Sequence, residues 1–176
     1  MKHTITLTEN DYLTHQLYEA STNPIRRSRR NRSYIFIVVC LVICTFGSST
    51  GDRIGFYVVA AVTAAAILFG KQYFRWRYKK HYARHVRTTY KGFFDQPVEI
   101  EINEETIRTA SKTGETTTKI SEINQVSEIP NHFLITISTG DQMIIPKSTP
   151  ALNEEIIQLA RREHILFLDE KDWKWN

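Results

Sequence analysis

Two stretches of this chain are almost empty of charge, and they constrain what it can fold into more than any other feature. Ser33–Gly51 runs 19 residues without a Lys, Arg, Asp or Glu, and Ile54–Gly70 runs a further 17. At about 1.5 Å of rise per residue, helices of that length cover roughly 25–29 Å, close to the ~30 Å hydrocarbon core of a bilayer. Flanking aromatic and cationic side chains can make up the difference. The sequence therefore predicts transmembrane helices over 33–51 and 54–70, joined by a short extracytoplasmic turn at 52–53. Tyr34, Phe56 and Tyr57 at the starts of the spans, with Tyr73, Phe74 and Trp76 beyond the second, have the placement of interfacial belts. A soluble core helix this long would carry a polar stripe. A cleaved signal peptide would not place its apolar region behind so long a polar segment.

The net charge of +4 conceals a division. Residues 1–91 hold 15 Lys/Arg against 4 Asp/Glu, a net +11, and residues 92–176 hold 8 against 15, a net −7. The cations crowd the ends of the spans: Arg26, Arg27, Arg29, Arg30 and Arg32 precede the first, whereas the link between the spans has only Arg53. Excess Lys/Arg marks the cytoplasmic side, so both termini are expected in the cytoplasm. Neither span contains an ionisable Asp, Glu, Lys, Arg or His, the usual mark of a transport path, proton relay or intramembrane catalytic site. Ala60/Ala64 and Ala61/Ala65 place small residues at i, i+4 on the second helix, where they would permit close approach to the first helix or to another copy.

Residues 71–91 form a basic juxtamembrane segment, read as the second helix continuing out of the membrane. Lys71, Arg75, Arg77, Lys79, Lys80, Arg84 and Arg87 are its candidate contacts to anionic lipid. The alternative is that they only set topology. Phe74, Tyr78 and Tyr82 recur through it at i, i+4. Basic residues interleaved with aromatics also suit nucleic acid, but a membrane tether argues against that partner.

Chemistry-bearing patterns are few. His81 and His85 stand at i, i+4 without a third ligand, so no metal is expected. Cys40 and Cys44 share a face inside an apolar span and read as packing residues. There is no phosphate-binding loop and no nucleophile elbow, and no cofactor or small-molecule substrate is implied. Asn31-Arg32-Ser33 matches a glycosylation sequon but falls on the cytoplasmic side.

Residues 1–32 comprise a strand and helix followed by the basic flank. Ile5 and Leu7 alternate with threonines, Thr8-x-x-Asp11 is an acid-containing variant of a capping box, and Leu13 and Leu17 form a narrow apolar face. So small a unit must dock elsewhere, and Ile5–Leu7 is expected to extend the sheet of the C-terminal domain. From Gly92 the period becomes two. PVEIEI, TIRTA, TTTKI, INQVSEI, HFLITIS and QMIIP, separated by turn signals, predict six short strands. Thr149 is then placed to N-cap a helix with Pro150 first and Leu152, Ile156, Leu159 and Ala160 as its apolar stripe. The fold class is thus an α+β membrane protein: a two-helix transmembrane hairpin and, over 92–176, a small antiparallel β-barrel or sandwich capped by a C-terminal helix. Asp169, Glu170 and Asp172 beside Trp173 and Trp175 read as a solvated tail, unless the tryptophans are docked.

The whole chain resembles the YcxB-like family of bacterial membrane proteins. The likeness is carried by EIEINEETIRTAS, by KISEINQVSE followed by HFLITIS, and by MIIPKSTPALNEEIIQLA, in which Ile145-Pro146-Lys147 leads into the helix. It implies a pleckstrin-homology-like cytoplasmic domain in a multi-pass protein of the bacterial inner membrane, and carries no assigned chemistry. The chain departs from the family pattern at Ile120-Ser121 and at Ser148-Thr149-Pro150, so no ligand role transfers to those positions. Its first turn, Asn103-Glu104-Glu105, is acidic where lipid-binding pleckstrin-homology domains place phosphate-holding cations, which disfavours phosphoinositide binding. The leading expectation is a non-enzymatic membrane-tethered module for protein interaction or self-assembly, with a protein partner or homo-oligomer. The alternative is an anionic-lipid-sensing regulatory module, and less favoured is a small transporter or enzyme subunit.

Overall fold

A computed structural model describes residues 2–47 and 53–175. The expected turn at 52–53 therefore lies outside the described residues except for Arg53, as do the side chains of Arg26, Arg27, Arg29 and Arg30. In chain order the elements are β1 (Lys2–Thr6), α1 (Glu9–Thr22), α2 (Pro24–Gly47), α3 (Arg53–Thr89), β2 (Pro97–Ile102), β3 (Thr106–Ser111), β4 (Gly114–Lys119), β5 (Ile123–Ile129), β6 (His132–Ile137), β7 (Gln142–Pro146), α4 (Pro150–Arg162) and β8 (Leu166–Asp169). The chain separates into two compact units, Met1–His15 with His85–Lys174, and Gln16–Arg84 with Trp175–Asn176.

In the first unit the six expected strands are present, arranged as two four-stranded sheets in the orders β1-β2-β3-β4 and β7-β6-β5-β8. There is no closed barrel. Strands β4 and β5 do not pair, because a 3₁₀ turn at Ile120–Glu122 carries the chain from one sheet to the other. Nor is the architecture wholly antiparallel, since β8 lies parallel to β5 with Val126 opposite Phe167. β1 pairs antiparallel with β2, Ile5 opposite Val98, so the N-terminal strand does extend the sheet.

Alternation explains the first sheet. Ile5, Ile100, Ile102 and Ile107 point inward and are buried. The opposite face pairs Lys2 with Glu101 and Glu101 with Arg108, leaving charges in water. The second sheet is apolar on both faces: Phe133 and Ile135 occupy one side of β6 and Leu134 the other, all buried. In α4 the expected stripe of Leu152, Ile156, Leu159 and Ala160 is buried. Thr149 sits at the N-cap with extended backbone, yet its side chain makes no capping bond; Pro150 at the first position starts the helix instead. His164 takes φ 52°, the left-handed turn that ends α4 and lets the Ile165 amide donate to the Ala160 carbonyl.

In the second unit α2 and α3 lie side by side. Tyr34 Oη donates to the Ile67 and Ala66 carbonyls, while Thr45 Oγ1 meets Thr63 Oγ1 at 3.0 Å. Partner positions on α3 thus run backward as α2 advances, which makes the pair antiparallel. α3 is one unbroken helix of 37 residues, long and apolar enough to cross a membrane. The apolar part of α2 among the described residues, Asn31–Gly47, is shorter than that, because the remainder of the expected first span lies beyond Gly47.

Candidate interaction surfaces

The seven candidate lipid contacts do not form one surface. At 100° per residue, Arg77, Lys80, Arg84 and Arg87 fall within about 80° of one another, and the half-buried Phe74, Tyr78 and Tyr82 lie on the other side of the helix. Tyr73 and Trp76 join the basic face, both more than half exposed, and Lys80 Nζ lies 5.1 Å from the Trp76 ring centre. Lys71 and Lys79 are exposed on other parts of the circumference. Arg75 is half-buried, and its guanidinium donates to the Trp175 carbonyl at 2.6 Å. Arg87 pairs with Glu9 at 2.7 Å. His81 and His85 are exposed; the His81 ring stacks edge-on to Tyr82, and His85 Nδ1 lies 3.4 Å from Thr89 Oγ1.

Of the four small residues on α3, Ala60 is half-buried and Ala61, Ala64 and Ala65 are exposed. Thr63, Ala66, Ile67 and Gly70 make contacts with α2. Thr63 is buried and bonds the Val59 carbonyl and the Thr45 hydroxyl. At Gly70 a Cβ would lie 2.8 Å from the Tyr34 ring, so glycine is what lets that ring lie against the helix.

The sheet unit carries two polar clusters of its own. Asp11 Oδ2 accepts from the Thr8 amide and hydroxyl, both at 2.7 Å, and Oδ1 bonds Nε2 of the buried His132 at 2.7 Å. Burial pushes the Asp11 carboxyl up, but the Thr8 amide, His132 and the Thr8 hydroxyl together hold it below the usual carboxylate value. His132 Nδ1 is buried with no hydrogen-bond partner. Ser127, on β5, is fully buried and accepts from the Gln125 amide, so it is not placed as an accessible nucleophile. The second cluster is Glu128, buried on β5, with Lys147 at 2.7 Å and Lys171 at 3.2 Å. Two grooves of about 740 Å³ each share the border Glu104-Glu105-Thr106. One has Glu155, Gln158 and Arg162 of α4 on its far side, and the other is floored by Ile120, Ile123, Ile165 and Leu166.

The strands and helix that border these grooves lie mostly in the part of the chain that a family model matches. Residues 102–158 match the family model described as YcxB-like protein. The matched segment runs from the end of β2 through the acidic turn and the following strands into α4, so it contains Ile145-Pro146-Lys147 and, of the apolar stripe of α4, Leu152 and Ile156. No curated protein and no solved structure matches the chain.

Several groups escape a reading of the sequence. Asp11 is recognisable as a cap, but nothing nearby in sequence announces its bond to His132, 121 positions away. Glu128 looks like an outward-facing residue in an alternating strand, and its burial follows from Lys147 and Lys171 converging on it. β8 had a signal in the short apolar run Ile165–Leu168. The acidic C-terminal residues are not a free tail: the Glu170 amide donates to the Glu128 carbonyl, and Trp173 and Trp175 are half-buried.

Proposed function

We propose that this chain is an integral protein of the bacterial inner membrane. α2 and α3 form a two-helix transmembrane hairpin with both termini in the cytoplasm, and the two-sheet unit, of pleckstrin-homology-like fold, is a non-enzymatic module for protein interaction or self-assembly. The observation that carries this reading is the state of α3: only 6% of its most apolar 18-residue window is buried. Ile54, Val58, Val62, Leu68 and Phe69 are each more than half exposed, an apolar surface that a soluble monomer does not leave in water. The abrupt onset of Lys/Arg after Gly70 supports a cytoplasmic exit. Two three-stranded meanders followed by a closing amphipathic helix support the pleckstrin-homology-like assignment. The acidic turn and the groove beside it, lined by Glu104, Glu105 and Glu163 together with Ile123 and Leu166, suit a partner segment that carries Lys or Arg.

Carbonate washing of membranes from a bacterial host should leave the full chain in the pellet, and release into the supernatant would end the membrane reading. Cross-linking with light scattering in detergent should then give a discrete oligomer or a stoichiometric complex, weakened by Glu104→Lys with Glu105→Lys. A monodisperse monomer that cross-links to nothing would end the interaction reading.

An anionic-lipid sensor is the second reading, favoured by the clustering of Arg77, Lys80 and Arg84 on one exposed face. It requires reconstituted full chain to gather anionic lipid in a manner lost at high salt.

A further inference from the structure

We propose that Trp175 is a second membrane-interface anchor, seated in the aromatic belt of α3 and facing the lipid headgroup layer. The inference rests on the membrane reading above and extends it to a residue 100 positions away from that belt in sequence. Three contacts place Trp175 on α3: its carbonyl accepts from Arg75 Nη2 at 2.6 Å, its indole Nε1 donates to the Arg75 carbonyl at 3.4 Å, and its ring lies edge-on to Tyr82 with centroids 6.3 Å apart. Arg75 is five residues past Gly70, where the apolar run ends, so the contact lies about 7.5 Å along the helix from that point. That is the depth of the headgroup region, roughly 5–8 Å on each side of the hydrocarbon core.

The same level of α3 carries Tyr73, Phe74, Trp76 and Tyr78, whose rings contact one another in series, Tyr73 with Phe74 and Trp76, and Phe74 with Tyr78. Trp175 adds an indole at this level on the Tyr78 and Tyr82 side of the helix, away from Tyr73. An indole whose N–H is engaged by a backbone carbonyl, with its ring partly exposed, has the amphipathic character that tryptophan shows at membrane interfaces. The adjacent Lys174 is exposed and suits anionic headgroups. A tail held only by water contacts would have no reason to fix both the carbonyl and the indole of one residue on the same helical turn.

The chain has three tryptophans, which makes the test direct. Full-length variants retaining only Trp76 (Trp173→Phe with Trp175→Phe) or only Trp175 (Trp76→Phe with Trp173→Phe) are reconstituted into vesicles of phosphatidylcholine and phosphatidylglycerol brominated near the headgroup end of the acyl chains. Bromine quenches indole fluorescence at short range, and Trp175 is expected to be quenched as strongly as Trp76. Quenching of Trp76 with Trp175 left bright would overturn the anchor and leave the membrane reading standing. Both left bright would overturn the two together. Arg75→Ala in the Trp175-only protein should lower its quenching, and quenching unchanged by that substitution would overturn the seat on α3.

Discussion

Asp11 shows how one side chain can tie a local structure to a distant one. Its Oδ2 closes the start of α1 through Thr8, and its Oδ1 holds His132 at the start of β6. Asp11→Ala therefore removes a cap worth about 1 kcal/mol and leaves a buried imidazole nitrogen unpaired, at about 1–3 kcal/mol. Amide-exchange protection in β6 and the first turn of α1 should fall together by roughly 2–4 kcal/mol; a loss confined to α1 would mean the His132 bond contributes nothing. The pH dependence has a definite sign. The folded carboxyl is held below its ordinary value of 3.8, so its contribution is fully present above that pH and disappears as pH falls through the lowered value. The carboxylate's share of the gap between native protein and Asp11→Ala should be present above the ordinary carboxyl value and close as pH falls through the lowered one. Thr149 is a contrast. Its side chain makes no capping bond, so Thr149→Ala should cost less than about 0.5 kcal/mol in the exchange of α4, where an engaged cap would cost about 1.

At the scale of elements, the antiparallel helix pair depends on a fit between one ring and one missing Cβ. Gly70→Val would drive a side chain into the space of the Tyr34 ring, 2.8 Å away at Cβ, and displace the hydroxyl from the Ala66 and Ile67 carbonyls. The thermal midpoint in detergent should fall for Gly70→Val and recover in part when Tyr34→Ala is added; no recovery would show that the valine acts elsewhere. A core position gives the counterpart in the sheet unit: Ile156→Ala on α4, fully buried, should cost about 2–5 kcal/mol of sheet-unit stability by amide exchange. These elements differ in how legible they were. The six strands and α4 were readable because period two and the 3.6-residue stripe are local patterns, and β1 was readable because Ile5 and Leu7 alternate with threonine. The division into two sheets was not, since nothing around Ile120–Glu122 says that β4 and β5 fail to pair; that is decided by which partner each strand finds in space. Both-face burial of β6 departs from the period-two reading, since the consecutive Phe133, Leu134 and Ile135 are all buried, and the parallel β8 was hidden in four residues between a helix end and an acidic segment. The hydroxyl pair at Thr63 and the ring docked at Gly70 were not legible, because each depends on a residue of α2 and neither is a property of α3 alone.

For the whole molecule, the split of +11 and −7 has to be judged by distance from the membrane. In the proposed topology α3 leaves the hydrocarbon core near Gly70 and continues unbroken to Thr89. The headgroup layer extends roughly 5–8 Å, and a further Debye length of about 8 Å sets the reach of the surface potential, giving about 15 Å in all. Lys80 stands ten residues past Gly70, about 15 Å along the axis, whereas Arg84 and Arg87 stand at about 21 Å and 26 Å. Arg87 already has a protein partner in Glu9. In that topology the helix carries an inner set of cations within reach of the surface potential and an outer pair, Arg84 and Arg87, whose backbone lies beyond it. Neutralising Lys71, Arg77, Lys79 and Lys80 to glutamine should strip most of the enrichment of phosphatidylglycerol around the reconstituted chain, read with spin-labelled lipid, at about 1 kcal/mol per cation within reach. Arg84→Gln with Arg87→Gln should leave that enrichment unchanged. Equal losses from the two variants would mean that the basic segment lies along the bilayer instead of projecting from it.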